Sequence, residues 1–331
     1  MPHHTAAGNR FARHPVATLS AVLTLLLFAI IVAAEVFLKT FTGLGNPLLY
    51  ETNPLYGYRP LPNQVIKPKG GMGFLYAARV TTNNLGLRAT ADWDANPAQK
   101  ILFLGDSVTY GGQYVNDEQL FSSVAGSVLE GWQVGNGGVN AWGVENIVGL
   151  VMDYDFSPAE VVVICLIEGD FYRGTTRVAS LPVWTTRPDF ALRDMFMHNL
   201  WRINELARYG SSVDTVTPDA AQQEKIVNRA ARHLKGLVSH LQNSGVRSYV
   251  FILPTQEQVV GDEPLDSEVQ NALAKHQVQA VYLLPELRDL EPDVAKRRAW
   301  FHDSVHLEPP GHLAYGTLLS KRLKKQLSPK G

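Results

Sequence analysis

The sequence predicts an α/β protein: a three-layer α/β/α sandwich with a parallel central sheet, preceded by an N-terminal transmembrane helix and a small accessory region. Three observations predict this. From Lys100 onward, apolar runs that suit strands alternate with segments of helical period. These runs lack a polar alternation, which is typical of parallel strands covered by helices on both faces. Ahead of them, the stretch from Val16 to Ala34 carries no charged residue.

Composition supports a folded domain and narrows its class. Of 331 residues, 45% are hydrophobic and 18% are charged, so the chain can build a large core. The formal net charge of -1 gives no support for a nucleic-acid partner, which favours a strong basic surplus. The single cysteine, Cys165, excludes an internal disulfide, and its place in the apolar run VVVICLI predicts a small buried side chain.

The uncharged stretch Val16 to Ala34 predicts a membrane-spanning helix. At about 1.5 Å per residue, such a helix is roughly 29 Å long, close to the hydrocarbon thickness of a bilayer. Arg10 and Arg13 precede it without an acidic residue. The positive-inside rule therefore predicts a cytoplasmic tail over 1–15, a transmembrane helix over 16–38 and the remaining residues outside.

A cleaved signal peptide is the alternative, since Val-Ala-Ala before Glu35 could serve as a cleavage site. In both cases the domain is expected in the periplasm or outside the cell. Without cleavage, the protein is a single-pass protein of the bacterial inner membrane.

Residues 39–99 are predicted to form a linker and an accessory β region. Residues 45–64 are rich in Pro, Gly, Asn and Tyr and have no helical period, which indicates a linker. Residues 74–89, FLYAARVTTNNLGLRA, predict a short strand, a turn at Asn83–Asn84 and an extended piece over 86–88.

Residues 100–331 are predicted to form one α/β domain with an insertion at about 171–218. The predicted strands are 101–105, 132–138, 160–170, 248–254 and 280–285. The predicted helices are 117–130, 144–154, 219–245 and a last one that starts after Pro309-Pro310-Gly311 and runs to about Leu327.

Three residues lie at or just past the carboxyl ends of predicted strands: Ser107, Gly138 and Asp170. The carboxyl ends of parallel strands share one edge of the sheet, and ligands bind there. In KILFLGDSVTYGG, residues 100–112, the Gly, Asp and Ser could simply make a turn. A serine between small neighbours at such a strand end is also where a nucleophile would lie, if the chain supplies a base.

The segment WFHDSVHLEPPGH, residues 300–312, supplies a candidate base. Asp303 and His306 are three residues apart in an irregular stretch, so the carboxylate can meet one ring nitrogen and leave the other free. A capping network for the last helix is one alternative. A divalent-metal site is another, with ligands from His302, Asp303, His306, Asp106 and Asp170.

Taken together, these motifs resemble the SGNH hydrolase family, also called GDSL-like esterases and lipases, in a membrane-anchored bacterial envelope type. Residues 105–111 match the first family block closely, and Asp303-Ser304-Val305-His306 matches the Asp-x-x-His block. NGGVNAWG, residues 136–143, resembles the second block. The resemblance covers roughly residues 100–327 without the insertion and implies a flavodoxin-like sandwich.

The resemblance also implies roles for individual residues. Ser107 would be the nucleophile, His306 the general base and then the general acid, and Asp303 the residue that orients the imidazole. The backbone N–H groups of Ser107 and Gly138 would bind the developing oxyanion. The resemblance implies no cofactor and no metal.

The third family block departs from the pattern. The expected Gly-x-Asn-Asp aligns with residues 167–170, which places Gly169 where the family has an oxyanion asparagine. Asn140 or Asn136, near the end of the second strand, could replace that donor. Losing one such donor costs about 10²–10³ in rate. Similar departures occur among family relatives that act on cell-envelope polysaccharides, including acetyltransferases.

The insertion carries arginine and tryptophan side chains that suit sugar rings and anionic groups. Its place after the third strand indicates a lid or a substrate wall. The alternative is a surface helical hairpin whose aromatic side chains pack on the sheet. The residues concerned are Arg173, Arg177, Arg187, Arg193, Arg202, Arg208, Trp184 and Trp201.

The sequence therefore favours a membrane-anchored, extracytoplasmic serine esterase that hydrolyses O-acyl esters, such as acetyl esters, on a cell-envelope glycan through an acyl-serine intermediate. Its expected partners are an acylated glycan or another ester substrate and the membrane; no protein partner is indicated. The first alternative is an O-acetyltransferase that uses the same three residues on a polysaccharide. The second is a non-catalytic glycan-binding or assembly module, and a metal-dependent hydrolase ranks last.

Overall fold

A central sheet of five parallel strands confirms the predicted α/β class. The computed structural model describes residues 14–66, 78–89, 91–93, 99–154, 159–176, 184–197, 199–200 and 220–327. The strands are β1 (Tyr50–Asn53), β2 (Gly57–Pro60), β3 (Gln64–Ile66), β4 (Val80–Thr82), β5 (Gln99–Gly105), β6 (Trp132–Asn136), β7 (Val161–Leu166), β8 (Arg247–Ile252) and β9 (Ala280–Tyr282). The central sheet has the order β6-β5-β7-β8-β9, and all of its pairs are parallel.

Helices cover both faces of this sheet. The helices of the described residues are α1 (Pro15–Phe37), α2 (Ser107–Tyr110), α3 (Phe121–Ser127), α4 (Val144–Asp153), α5 (Ala220–Asn243), α6 (Gln256–Val260), α7 (Ser267–Lys275), α8 (Leu284–Leu290), α9 (Val294–Arg298) and α10 (Pro309–Leu327). Helix α1 is not one of the covering helices, since none of its residues is buried. Alternate side chains of β5 enter two separate cores. Leu102 packs in one core with Leu234 of α5, and Ile101 packs in the other with Leu319 of α10. The result is the predicted three-layer sandwich.

The strand ends lie where the sequence predicted. β5 ends at Gly105, β6 at Asn136 and β7 at Leu166, so their carboxyl ends share one edge. Ser107 is the first residue of α2, directly after that edge.

The predicted linker over 45–64 is wrong in part, because β1 and β2 form an antiparallel hairpin there. The cause is tertiary burial, which has no local period. The side chains of Tyr56 and Tyr58 join the same core as Trp142. The short strand predicted after it is confirmed by β4. The predicted turn lies one residue later than expected, centred on Asn84 and Leu85 and closed by a 3.0 Å hydrogen bond from Gly86 N to Asn83 O.

Helical structure after β8 and around residue 120 also differs from the prediction. The single helix predicted over 117–130 is divided, because Leu120 is extended (φ -61°, ψ 144°) and α3 starts only after it. Helices α6 to α9 were not predicted. Each of them is only five to nine residues long, which is too short to show a clear hydrophobic period.

Helix α1 confirms the predicted apolar helix near the N-terminus. Together with a helical turn at Leu38–Thr42 it spans Pro15–Thr42, and its most apolar window is not buried in the protein. By length and composition it could cross a membrane, and a signal sequence would meet the same criteria. Arg10 and Arg13 of the predicted cytoplasmic tail lie outside the described residues.

Arg88 attaches the accessory region to the loop that follows the candidate nucleophile. Its Nε atom lies 3.0 Å from Asp117 Oδ1, and both side chains are 1% exposed. The guanidinium also donates to the carbonyl oxygens of Tyr110 and Val115, at 2.7 and 2.5 Å. Burial raises the pKa of Asp117, and the charge of Arg88 opposes that rise. Arg88 thereby holds residues 110–117 against the sheet edge.

We expect Arg88→Met to lower the free energy of unfolding by about 3–5 kcal/mol, because it leaves the Asp117 carboxylate buried without its partner. Urea denaturation of the full chain in detergent, followed by tryptophan fluorescence, measures the change. Arg79→Met is the matched control, since Arg79 is exposed and should change stability by less than about 0.5 kcal/mol. Equal stability of the two variants would contradict the role of Arg88.

Candidate active site

Ser107 is presented by a tight turn between β5 and α2. Asp106 caps α2, because its Oδ1 atom accepts a hydrogen bond from the N–H of Val108 at 2.9 Å. As the first residue of the helix, Ser107 has an N–H group with no acceptor inside the helix. Gly138 packs so closely on this turn that a Cβ atom there would lie 2.4 Å from Tyr110 N. A glycine at 138 is therefore required for the close approach of the two loops.

The structure brings Ser107, His306 and Asp303 together. His306 Nε2 lies 2.8 Å from Ser107 Oγ, and His306 Nδ1 lies 2.7 Å from Asp303 Oδ2. Both ring nitrogens are thus engaged, one by the hydroxyl and one by the carboxylate. This is the geometry in which an imidazole accepts the serine proton while a carboxylate fixes its tautomer.

A closed loop between α9 and α10 positions the imidazole. Phe301 and Leu307 form an antiparallel bridge at its base, and His302 N donates to His306 O at 2.8 Å. The loop is fixed to the domain by a 2.8 Å hydrogen bond from Gln256 N to Ser304 O. The position of His306 is therefore set by backbone contacts at both ends of the loop.

Hydrogen bonds to the Asp303 carboxylate favour its ionised form. Its Oδ1 atom accepts the N–H groups of Val305 and His306, each at 2.9 Å. Partial burial acts to raise the pKa of Asp303, but these hydrogen bonds and the contact with the His306 ring outweigh it and lower the pKa. An ionised Asp303 can stabilise an imidazolium on His306.

The proposed oxyanion donors near β6 differ from expectation. The N–H of Gly138 already donates to Asn136 Oδ1 at 2.9 Å. The Asn136 amide in turn donates to Thr109 O at 2.6 Å and to Ser122 Oγ at 2.9 Å. Asn136 is therefore a structural residue and does not replace the missing donor. Asn140 lies in the next turn, where its carbonyl oxygen accepts the Tyr58 hydroxyl at 2.5 Å.

Gly169 leaves space at the position of the missing asparagine. A Cβ atom added there would meet nothing closer than Ile167 Cδ1 at 3.7 Å. Steric crowding therefore does not explain the glycine.

Arg173, which the sequence suggested as a sugar-binding residue of the insertion, lies instead on a pair of buried carboxyl groups. Its Nη1 atom is 2.7 Å from Asp170 Oδ1, 2.9 Å from Trp142 O and 3.4 Å from Asp106 Oδ2. The Arg173 side chain is 35% exposed, whereas those of Asp106 and Asp170 are at most 1% exposed. The Arg173 guanidinium thus contacts Asp106, the residue that precedes Ser107, and is partly exposed to solvent.

The buried carboxyl groups of Asp106 and Asp170 lie close together, and the charge of Arg173 stabilises them. Burial raises the pKa of Asp170 well above its usual value, and the nearby charge of Asp106 raises it further. Arg173 and the N–H of Ile167 oppose this rise. Spacing in sequence gave no signal for this cluster, because Asp106 and Arg173 lie on different loops.

Geometry also bears on the metal hypothesis. Within the described part of the chain, no group of three or more His, Cys, Asp and Glu side chains could hold a metal ion. His302 is directed away from His306, since its Nδ1 lies 2.7 Å from Glu308 Oε1 and its ring stacks on Tyr114 at 4.0 Å.

Beyond Arg173, the described tryptophan and one of the arginines of the insertion contact other residues of the insertion. Trp184 Nε1 donates to Asp194 Oδ1 at 2.8 Å, and Arg193 lies over the Trp184 ring at 5.9 Å. Arg187 is exposed. The remaining residues named in the sequence, Arg177, Trp201, Arg202 and Arg208, lie outside the described residues.

Comparisons with known proteins show similarity at low sequence identity. No protein-family model matches the sequence, and no curated protein matches it either. Similar solved structures include a member of the lipolytic protein G-D-S-L family from Veillonella parvula, with 12% identity over 71% of this chain and 100% of that chain and a TM-score of 0.39. An acetyl xylan esterase has 12% identity over 69% and 99% and a TM-score of 0.42. A lipase/acylhydrolase from Enterococcus faecalis has 14% identity over 70% and 99% and a TM-score of 0.40.

We expect Arg173→Met to make stability more dependent on pH. Without the cation, the pKa of Asp170 in the folded state rises further above its value in the unfolded chain. The folded state then holds an extra proton, so the free energy of unfolding falls as pH rises, by up to about 1.4 kcal/mol per pH unit for one proton. Urea denaturation of the full chain in detergent at pH 5, 6.5 and 8 measures the slope.

Arg187→Met, at an exposed arginine of the same insertion, is the control and should follow the parent protein. Parallel pH profiles for Arg173→Met and the parent would show that the guanidinium does not stabilise the carboxyl pair.

Proposed function

We propose that the protein is a serine esterase of the SGNH type that forms an acyl-serine intermediate on Ser107. The observation that carries this proposal is the continuous chain of hydrogen bonds from Ser107 Oγ through His306 to Asp303, at 2.8 and 2.7 Å. A hydroxyl next to an imidazole that is itself oriented by a carboxylate is an activated nucleophile. The side chains of His306 and Asp303 are 30% and 46% exposed, so an ester can approach from solvent.

Two half-reactions follow from this arrangement. In the first, Ser107 Oγ bonds to the acyl carbon while its proton passes to His306 Nε2, and Asp303 stabilises the imidazolium. The bond from the acyl carbon to the alcohol oxygen then breaks, and the alcohol leaves with the proton from Nε2. In the second, a water molecule gives its proton to Nε2 and its oxygen to the acyl carbon, and the acid leaves as the proton returns to Ser107 Oγ.

The developing oxyanion needs donors beside the acyl carbon. We assign the Ser107 N–H as the first, because it is the leading N–H of α2, and the Asn140 side-chain amide as the second. Gly138 can contribute only if its N–H shares or releases the hydrogen bond that it now gives to Asn136.

For the substrate, we propose an O-acyl ester, such as an acetyl ester, on a glycan outside the cytoplasmic membrane. The apolar helix α1 supports the location, since it is long enough to cross a bilayer. The Arg173 guanidinium supports a polar or anionic alcohol portion. It is 35% exposed and contacts Asp106, which precedes Ser107, and guanidinium groups bind hydroxyl and carboxylate oxygens.

We expect Ser107→Ala to lower the turnover of p-nitrophenyl acetate by the full chain in detergent at least about 10³-fold, because residual catalysis without the nucleophile is small. Ser304→Ala is the matched control: this serine lies in the His306 loop, contacts Gln256 only through its carbonyl oxygen and should retain parent activity.

Equal rates for Ser107→Ala and the parent would contradict the proposal and favour a non-catalytic glycan-binding module. The products of the active protein separate hydrolysis from acyl transfer. Release of free acetate in the presence of an added sugar acceptor supports the esterase, whereas an acetylated sugar identifies an O-acetyltransferase that uses the same residues.

A further inference from the structure

The insertion is attached to the end of the apolar helix α1. Glu35, in the last turns of that helix, accepts the N–H of Ala191 on Oε1 at 2.8 Å and the N–H of Leu192 on Oε2 at 3.0 Å. These N–H groups open a helical segment over residues 191–197, which we call the insertion helix. Lys39 lies 2.9 Å from the same carboxylate.

A second contact fixes the orientation of the insertion helix. Asp194, which is completely buried, accepts the N–H of Gly45 at 2.8 Å and the Trp184 indole N–H at 2.8 Å. Tyr50 N donates to Trp184 O at 2.8 Å, which joins the insertion to β1. Two carboxylates, Glu35 of α1 and Asp194 of the insertion helix, therefore hold one face of that helix against α1 and the residues that follow it.

The opposite face is apolar and exposed. Phe190 is 60% exposed, Phe196 59%, Met197 47% and Leu200 38%. At about 100° per residue, Phe196 and Met197 lie on the same side of the insertion helix as Arg193. Arg193 forms an ion pair with the exposed Asp189 at 3.2 Å. Phe37, the last residue of α1, and Phe41, in the helical turn that follows, are also exposed. An amphipathic helix of a soluble domain has the reverse pattern, with its apolar face in the core.

From this arrangement we infer that the insertion helix is a second membrane-binding element, which lies in the interface of the same bilayer that α1 crosses. The inference rests on the membrane-spanning role proposed for α1. The occupant of the apolar face is the boundary between lipid headgroups and acyl chains, because Glu35 holds the start of the insertion helix at the end of the apolar helix α1. Exposed Phe, Leu and Met side chains next to an arginine are the composition of an interfacial helix. Arg193 now pairs with Asp189 at 3.2 Å, and a lipid phosphate would replace this carboxylate.

Membrane contact at this place would fix the orientation of the active site. The insertion begins at the sheet edge, where Arg173 contacts Asp106 and Thr176 Oγ1 donates to Ala141 O at 2.7 Å. The insertion thus contacts the candidate site at one end and α1 at the other. Residues 177–183 lie outside the described residues. Two attachment points, α1 and the insertion helix, would prevent free rotation of the domain about a single anchor.

The test uses nitroxide labels on the full chain in vesicles of phosphatidylethanolamine and phosphatidylglycerol. Labels are attached at Phe196→Cys and Met197→Cys, on the exposed face, and at Leu290→Cys as the water-exposed control. Leu290 is 45% exposed and ends α8, which follows β9 at the opposite edge of the sheet from β6. Met195→Cys, half-buried on the other face, is the control within the helix. The native Cys165 is buried, and the parent protein gives the background.

Collisions with oxygen, which partitions into lipid, and with a water-soluble nickel chelate report where each label lies. We expect the oxygen-to-nickel collision ratio at 196 and 197 to exceed that at 290 at least tenfold, and the label at 195 to be immobile and shielded from both reagents. Intact mass must show that residues 1–34 are retained, since cleavage before Glu35 would remove the helix on which the inference rests and would overturn it.

Ratios at 196 and 197 equal to that at 290 would also overturn the inference. A third outcome would overturn it as well. If the labels are shielded from nickel, show no gain in oxygen collisions and have spectra broadened by spin–spin interaction, a second copy of the chain covers this face. Turnover of p-nitrophenyl acetate by the labelled variants is measured in parallel. Loss of the membrane result with full turnover refutes only this inference, and loss of turnover in the parent refutes only the proposed esterase activity.

Discussion

The hydrogen bond between Ser107 Oγ and His306 Nε2 is the contact on which the proposed esterase chemistry depends. It joins residues 199 positions apart, so no local preference of the chain can form it. The parallel sheet brings the turn after β5 to one edge, and the loop before α10 returns to the same edge. Backbone hydrogen bonds at both loops then leave little freedom in the distance between the two side chains.

Two carboxyl groups near this contact, Asp303 and Asp170, have pKa values shifted in opposite directions. Asp303 is kept ionised by N–H groups and by the imidazole, whereas Asp170 is buried and has a raised pKa. Asp106 caps the nucleophile helix and shares the Arg173 guanidinium with Asp170. The charge of Arg173 therefore stabilises Asp106, which precedes Ser107, while the Arg173 side chain remains 35% exposed.

Sequence reasoning predicted the sheet and the three central residues because both leave local signals. Val161–Leu166 is apolar throughout, and a short motif surrounds Ser107 and another surrounds His306. The β1–β2 hairpin left no such signal, since the Tyr58 hydroxyl finds its partner on Asn140, far along the chain. The charge of Arg173 led to the prediction that it binds a sugar. Its actual partners, Asp106 and Asp170, could not be predicted, because only the fold brings the three side chains together.

Reaction of Ser107 with a fluorophosphonate probe, located by peptide mass spectrometry on the full chain, tests the central claim most directly. A serine activated by His306 should form the adduct at Ser107 within minutes in the parent protein, and His306→Ala should lose it while Ser304→Ala retains it. An unlabelled Ser107 in the folded parent protein, or equal labelling in His306→Ala, would contradict the claim that this imidazole activates this hydroxyl.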